Sequence, residues 1–253
     1  DRVTAALNRA PDLVDRVRVT VGYDGRGLDE HLQSADAVFC WDLPRERLSE
    51  RAPNLRWIHV HGAGINHWMP LQDLPKQITL TNSRGVHGER ATEYVMMAIL
   101  ALNNRLPEMV TNQRRGRWAQ CFSSSLSGKT LLIIGVGHIG HAVARWAKSV
   151  GLNVLGIRRS GKPRRWVDEM YTAAELQTIL PRADFVLISA PHTTETDQLM
   201  GAGELDLMKA GAGLVNYSRA GLVDYEALRV RLNKGELSAV LDVFTPEPLP
   251  KDS

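Results

Sequence analysis

An α/β fold of two domains, each built on a parallel sheet, follows from three features of the sequence. Residues 130–134 form an unbroken apolar run that enters Gly135-Val-Gly-His-Ile-Gly140 and then a helical pattern. Strand-like runs alternate with helical patterns on both sides of that turn. The length of 253 residues, 43% hydrophobic and 23% charged, suffices for two cores in domains of roughly 100 to 150 residues each.

The chain opens at Asp1 without a methionine and inside a helical pattern (Val3, Ala6, Leu7), so residues are expected to precede it. Residues 17–21 alternate as a strand, 28–33 suggest a short helix, and 37–40 a buried strand. A helix follows over 44–51, with Pro44 at a permitted first-turn position, and strands follow at 55–60 and 78–81. A long helix starts near Glu89 with Tyr94, Val95, Ala98, Ile99 and Leu102 on one side. Pro107 interrupts it, which places the domain boundary near residue 103 and a second helix over 107–115. The expectation is a domain over 1–103, another over 104–253, and a cleft between them.

In the second domain the run at 130–134 has the composition of a parallel strand covered on both faces. The helix after it keeps Ile139, Val143, Ala147 and Val150 on one stripe and stops at Gly151. A strand at 152–157 completes a βαβ unit. Thr172 and Glu175 form a capping box for a helix to residue 180, and strands are expected at 183–190, 214–217 and 238–244. Asp224 caps a helix running to residue 232.

Composition excludes several classes. The longest apolar stretch, 94–102, is far shorter than the roughly 20 residues that cross a bilayer, and no secretory signal opens the chain. Cys40 and Cys121 have neither metal-type spacing nor a second pair, which suits a reducing, cytoplasmic setting. The formal charge of +3 is modest, and the basic clusters at 114–117 and 158–165 lack interleaved aromatics, so nucleic acid is not an expected partner.

Gly135, Gly137 and Gly140 have the spacing of a dinucleotide-binding turn. The first permits the tight turn, the second admits a pyrophosphate, and the third lets helix and strand pack closely. Such a site commonly has an acid at the end of the next strand for the ribose 2'-hydroxyl. Arg158 stands there instead, 18 residues after Gly140, and suits a 2'-phosphate. Arg219 lies just past a strand's carboxyl end, where it could grip a carboxylate or sit as a surface arginine. Glu247 occupies a loop stiffened by prolines. His59 and His61 would share one strand face with His67 nearby, but no acid or cysteine stands at ligand spacing, and no metal is expected.

The segments Gly135-Val-Gly-His-Ile-Gly140, Ala190-Pro-His-Thr-Thr-Glu-Thr196, Asn216-Tyr-Ser-Arg219, Leu241-Asp-Val-Phe and Glu247-Pro-Leu-Pro together resemble the D-isomer-specific 2-hydroxyacid dehydrogenase family. So does Trp57-Ile-His-Val-His-Gly-Ala-Gly64 upstream. The resemblance covers nearly the whole chain and implies two Rossmann-like or flavodoxin-like domains, residues 1–103 carrying substrate and 104–253 dinucleotide. By that likeness Arg219 polarises a 2-oxo acid, Glu247 tunes a catalytic histidine, and the backbone of Gly62, Ala63 and Gly64 holds the substrate carboxylate.

The same likeness implies a cofactor site drawn from Gly135, Gly137, His138, Ile139, Gly140, Ala190, Pro191, Thr196, Tyr217, Ser218, Arg219 and Asp242. Arg158, Arg159 and Ser160 complete it, with NADP favoured over NAD. The implied reaction is hydride transfer between that cofactor and a small 2-oxo acid such as glyoxylate or hydroxypyruvate, by a homodimer. Two departures stand out. Ala220 separates Arg219 from Gly221, and the stretch 224–242 is one residue shorter than in common members. The family's catalytic histidine follows the Glu-Pro-Leu-Pro segment in a Pro-His motif, and none of the eight histidines here matches it. It is expected beyond Ser253, so that residues 1–253 alone would bind dinucleotide without useful turnover. The alternatives are a dinucleotide-sensing protein like the family's transcriptional corepressors, and a formate dehydrogenase-like enzyme, which Glu247 in place of glutamine disfavours.

Overall fold

The computed structural model describes residues 2–22 and 27–253, and its contacts divide the chain into two compact units, 1–86 and 87–253. The first contains helices α1 (Arg2–Leu7), α2 (Pro11–Val14) and α3 (Leu28–Leu32), strand β1 (Ala37–Cys40), helix α4 (Leu48–Arg51), and strands β2 (Trp57–Val60) and β3 (Thr79–Asn82). The strands form a parallel sheet in the order β1-β2-β3, with Ala37 beside Trp57 and Trp57 beside Thr79. Its core gathers Leu32, Leu43, Leu48, Leu55, Ile58, Val60 and Trp68.

Three expectations for this unit need correction. Residues 17–22 join no sheet: Val17, Val19 and Val21 are exposed, so alternation there has no face to bury. The helix expected over 44–51 is one turn at Leu48–Arg51, because Arg47 takes a left-handed conformation (φ 51°) and breaks any helix begun at Pro44. β1 is covered on one face only, leaving Phe39 exposed.

The second unit begins with helices α5 (Gly88–Asn103) and α6 (Leu106–Arg114). It continues through β4 (Thr130–Ile134), α7 (His138–Ser149), β5 (Asn153–Ile157), β6 (Glu169–Tyr171), α8 (Leu176–Ile179), β7 (Phe185–Ile188), α9 (Ala202–Asp206), β8 (Gly213–Asn216), α10 (Tyr225–Asn233) and β9 (Ser238–Leu241). All six strands are parallel, in the order β6-β5-β4-β7-β8-β9. Counted from β4 this is 3-2-1-4-5-6, the doubly wound order in which ligands bind where the strand order reverses, here between β4 and β7.

The division at 86/87 replaces the boundary expected near 103. The apolar side of α5 explains the difference: Val95, Ala98, Ile99 and Leu102 are buried in one core with Leu131, Val143, Ala147 and Val215. The helix is therefore the first element of the second unit. The other sheet face buries Leu132, Ile134, Leu155, Val186, Ile188, Leu205, Leu214 and Leu228. Asp224 caps α10, its Oδ1 accepting from the N–H groups of Glu226 and Ala227 at 3.0 Å each. Among the described residues no helix is long and apolar enough to cross a membrane.

Candidate dinucleotide site

The turn after β4 contains three glycines with three different surroundings. Gly135 has φ +98°, and a Cβ there would lie 2.3 Å from the backbone nitrogen of Ala190, so both conformation and space require glycine. A Cβ on Gly140 would come within 2.6 Å of the Gly135 carbonyl oxygen and 2.9 Å of Ile133 Cγ2, so the start of α7 can approach β4 only without a side chain. Gly137 differs: a Cβ there meets no protein atom within 4 Å. No packing inside the unit requires this glycine, so the turn keeps backbone bare toward open space.

Hydrogen bonds join this turn to the neighbouring strand ends. The N–H groups of Gly135 and Val136 donate to Ile157 O at 2.9 and 3.0 Å, and Ser189 Oγ donates to Gly135 O at 2.9 Å. His141 N–H makes the first helical bond, to Gly137 O at 3.1 Å, so the N–H groups of His138, Ile139 and Gly140 precede it at the positive end of α7. His138 itself packs its ring against Gly88 at the start of α5, where an added Cβ would stand 2.7 Å from Nε2. His141, one turn into α7, titrates below the ordinary histidine value, first because it is buried and then because Arg164 lies close.

Arg158 leaves β5 beside this turn, its N–H bonded to Tyr171 O at 3.1 Å. Arg159 is exposed and stands 3.8 Å from Glu195 Oε2, across from the loop after β7. The hydroxyl of Ser160 accepts from Lys162 N–H at 3.4 Å.

At the ends of β7, β8 and β9 the remaining residues come together. Ser218 Oγ donates to Ala190 O. Thr196 Oγ1 donates to Pro191 O and accepts from Thr193 N–H, both at 2.8 Å, closing the loop after Ala190. His192 Nε2 lies 2.7 Å from Asp197 Oδ1, with Gly221 packed against the imidazole. Tyr217 packs its ring 5.1 Å from that of Tyr94 on α5, and burial followed by the charge of Asp242 raises both phenols above their ordinary range.

Arg219 is exposed, with a guanidinium N–H donated to Ser218 O at 2.7 Å. The carboxylate of Glu247 accepts Phe244 N–H at 2.6 Å. One buried polar network connects their loops; beside the expected Ser218 and Arg219 it contains Asn216 and Tyr225, which sequence reasoning missed as site residues. Asn216, fully buried at the end of β8, donates to Arg219 O and to Tyr225 Oη at 3.0 Å each and accepts from Ser218 N–H at 3.2 Å. Tyr225 Oη in turn donates to Val243 O at 2.7 Å. An asparagine closing an apolar strand is the available signal for Asn216; Tyr94 reads as a helix-face residue, and nothing in the sequence marks Tyr225.

Residues 96–253 match the family described as D-isomer specific 2-hydroxyacid dehydrogenase, NAD binding domain. The chain belongs to that family. The D-isomer specific 2-hydroxyacid dehydrogenases include a glyoxylate reductase of Thermococcus litoralis that is 32% identical over 232 residues, 87% of this chain and 70% of that one. Over the first curated relatives the chain spans between 47% and 70% of their length. A solved family protein from Aeromonas salmonicida superposes with a TM-score of 0.86 at 32% identity, over 98% of this chain and 80% of that one. An NADPH-dependent glyoxylate/hydroxypyruvate reductase from Sinorhizobium meliloti, solved with NADP and sulfate, gives 0.76 at 28% identity, over 87% and 71%.

Gly62, Ala63 and Gly64 belong to the first unit. Gly62 lies against Trp41, where a Cβ would be 2.3 Å from the indole, and the carbonyl of Ala63 accepts from Asn82 Nδ2 at 2.7 Å. The nearby histidines are engaged by protein groups. His59 faces Thr81 Oγ1 at 2.8 Å and Ser83 Oγ at 3.0 Å, and His67 Nε2 donates to Trp41 O at 2.8 Å. Among the described residues no group of three or more His, Cys, Asp and Glu side chains is arranged to hold a metal ion.

Proposed function

We propose that this protein binds NADP(H) in preference to NAD(H) and interconverts a small 2-oxo acid, glyoxylate or hydroxypyruvate, with its D-2-hydroxy acid. One observation carries the dinucleotide reading: Gly137 is bare where no protein atom needs it to be, between two glycines that packing does require. A pyrophosphate fits that opening, beside the positive end of α7. Arg158 and Arg159, with Ser160, would receive the 2'-phosphate through charge-assisted hydrogen bonds. The Sinorhizobium meliloti reductase, named NADPH-dependent, supports the same preference.

When bound, the nicotinamide ring supplies or accepts the hydride. The chain's own residues do the rest. Arg219 pairs with the substrate's oxygens and polarises its carbonyl, and the network through Asn216 and Tyr225 fixes the loops of Arg219 and Glu247 in one arrangement. Glu247 favours the cationic form of an imidazole that donates the carbonyl proton. The backbone of Gly62, Ala63 and Gly64 receives the substrate carboxylate, as the resemblance implies. The working form is a homodimer; Trp118, 94% exposed after α6, is a natural contact for a second copy.

The test is NADPH oxidation with glyoxylate, hydroxypyruvate and a panel of larger 2-oxo acids, using protein from the natural gene. Turnover of one of the two small acids is expected. Saturable NADPH binding with no turnover of any 2-oxo acid would overturn the enzymatic reading.

A further inference from the structure

The opposite end of the second unit's sheet has a cavity of about 250 Å³ at the amino ends of β4, β7 and β8. Its wall carries Arg105, Lys129 and Lys209, one carboxylate from Asp184, and Ser123 and Ser124. Three positive charges against one negative leave the wall at +2. The carboxylate is fully engaged: Oδ1 accepts from Lys209 Nζ at 2.8 Å and Oδ2 from Thr130 N–H at 2.7 Å. Lys129, half-buried, donates to the amide oxygen of Asn103 at 2.5 Å and lies 5.8 Å from the centre of the Phe185 ring. Neither partner carries a counter-charge. Arg105 pairs with Glu108 at 2.6 Å, but both side chains are about half exposed, so the pair adds little and can exchange for a stronger acceptor.

A partly desolvated ammonium with neutral neighbours gains most from an anion that brings several acceptors. We propose that this cavity is a second ligand site, for a small doubly charged oxyanion held by Lys129 and Lys209. The Ser124 hydroxyl completes its hydrogen bonds, and that of Ser123, which donates to Asn104 Oδ1 at 2.8 Å, can turn to the anion in exchange. The site is separate from the dinucleotide turn, since β4 sets Thr130 and Gly135 at opposite ends of a strand roughly 15 Å long. The chemistry is shared by phosphate groups and dicarboxylates, and the cavity's size excludes a whole dinucleotide.

Calorimetric titration at constant ionic strength with the dinucleotide turn saturated by NADPH, inorganic phosphate in one arm and succinate in the other, tests the assignment on wild type, Lys129→Gln, Lys129→Arg and Arg229→Ala. At least one anion is expected to bind wild type. Lys129→Gln should weaken it about tenfold or more, while Lys129→Arg and Arg229→Ala, the latter an exposed arginine on α10 paired with Glu226, should leave it nearly unchanged. A phosphate-only response assigns the site to phosphate groups, and a succinate-only response to dicarboxylates. Absence of binding by both anions overturns the proposal. So does binding that survives Lys129→Gln, or binding lost in Arg229→Ala. Should Lys129→Gln fail to fold by circular dichroism, a Ser123→Ala, Ser124→Ala double variant replaces it, and unchanged affinity there contradicts the site equally.

Discussion

At the scale of single residues, the outcome for each side chain depends on whether its role is local. The three glycines of the turn were legible because G-x-G-x-x-G spacing reports backbone requirements, and the structure shows a separate reason for each. Arg219 is a different case, since its position past a strand end marks it without fixing its target. Replacing it with lysine keeps the charge but loses the planar pair of donors, so kcat/KM for the preferred 2-oxo acid should fall about 10²-fold while NADPH affinity stays the same. Steady-state kinetics beside a binding titration checks both halves. Arg158→Ala should reduce the preference for NADPH over NADH about tenfold, because a hydrogen bond to a charged group contributes roughly 1.5 to 3 kcal/mol. A preference that does not change would return this basic loop to a solvated surface role. Asn216 stands within a motif, but its buried network cannot be read from sequence, because its partners Arg219, Tyr225 and Ser218 meet it only in three dimensions.

At the scale of elements, apolar runs were read well and polar or one-sided ones poorly. β4, β7 and β8 are buried on both faces and stand out as continuous hydrophobic stretches; β4 keeps its expected bounds, β8 begins one residue earlier, and only β7 is shorter than the run that marks it. β6 escaped notice: its three residues, Glu-Met-Tyr, form a polar edge strand with no periodicity to detect. The loop before it holds an ion pair with a testable pH dependence. Asp168 accepts from Lys148 Nζ at 2.8 and 2.9 Å and from Val154 N–H at 2.7 Å, linking the approach to β6 with α7 and β5. Burial is the largest single influence and acts to raise its pKa. The lysine and the backbone N–H together outweigh it, so the carboxyl titrates below its ordinary 3.8. A depressed folded-state pKa stabilises the protein above the unfolded value and loses that contribution as pH falls through the folded one. Asp168→Asn should therefore cost about 1 kcal/mol at pH 7, a modest figure because the side chain is partly exposed and screened. The gap from wild type should close as pH drops below 3.8, followed by urea denaturation across that range.

At the scale of the whole molecule, two α/β units with parallel sheets are legible from alternating patterns, whereas the strand order of the second unit comes from the structure. The boundary was misplaced because Pro107 was the loudest local signal, whereas the division follows the buried stripe of α5, which belongs with the second core. The proposed dinucleotide binding rests on that unit presenting its glycine turn at the switch between β4 and β7. Glycine at position 137 separates that claim from ordinary fold requirements. An alanine at Gly135 should destabilise the unit outright, since its methyl would collide with the Ala190 backbone, but one at Gly137 meets no protein atom. The decisive measurement is the NADPH dissociation constant of Gly137→Ala beside wild type, with thermal unfolding of both. The expected result is an unfolding temperature that does not move and an affinity at least about tenfold weaker, because the methyl occupies space reserved for the pyrophosphate. Equal affinity in the two proteins, or no NADPH binding by wild type, would contradict the account.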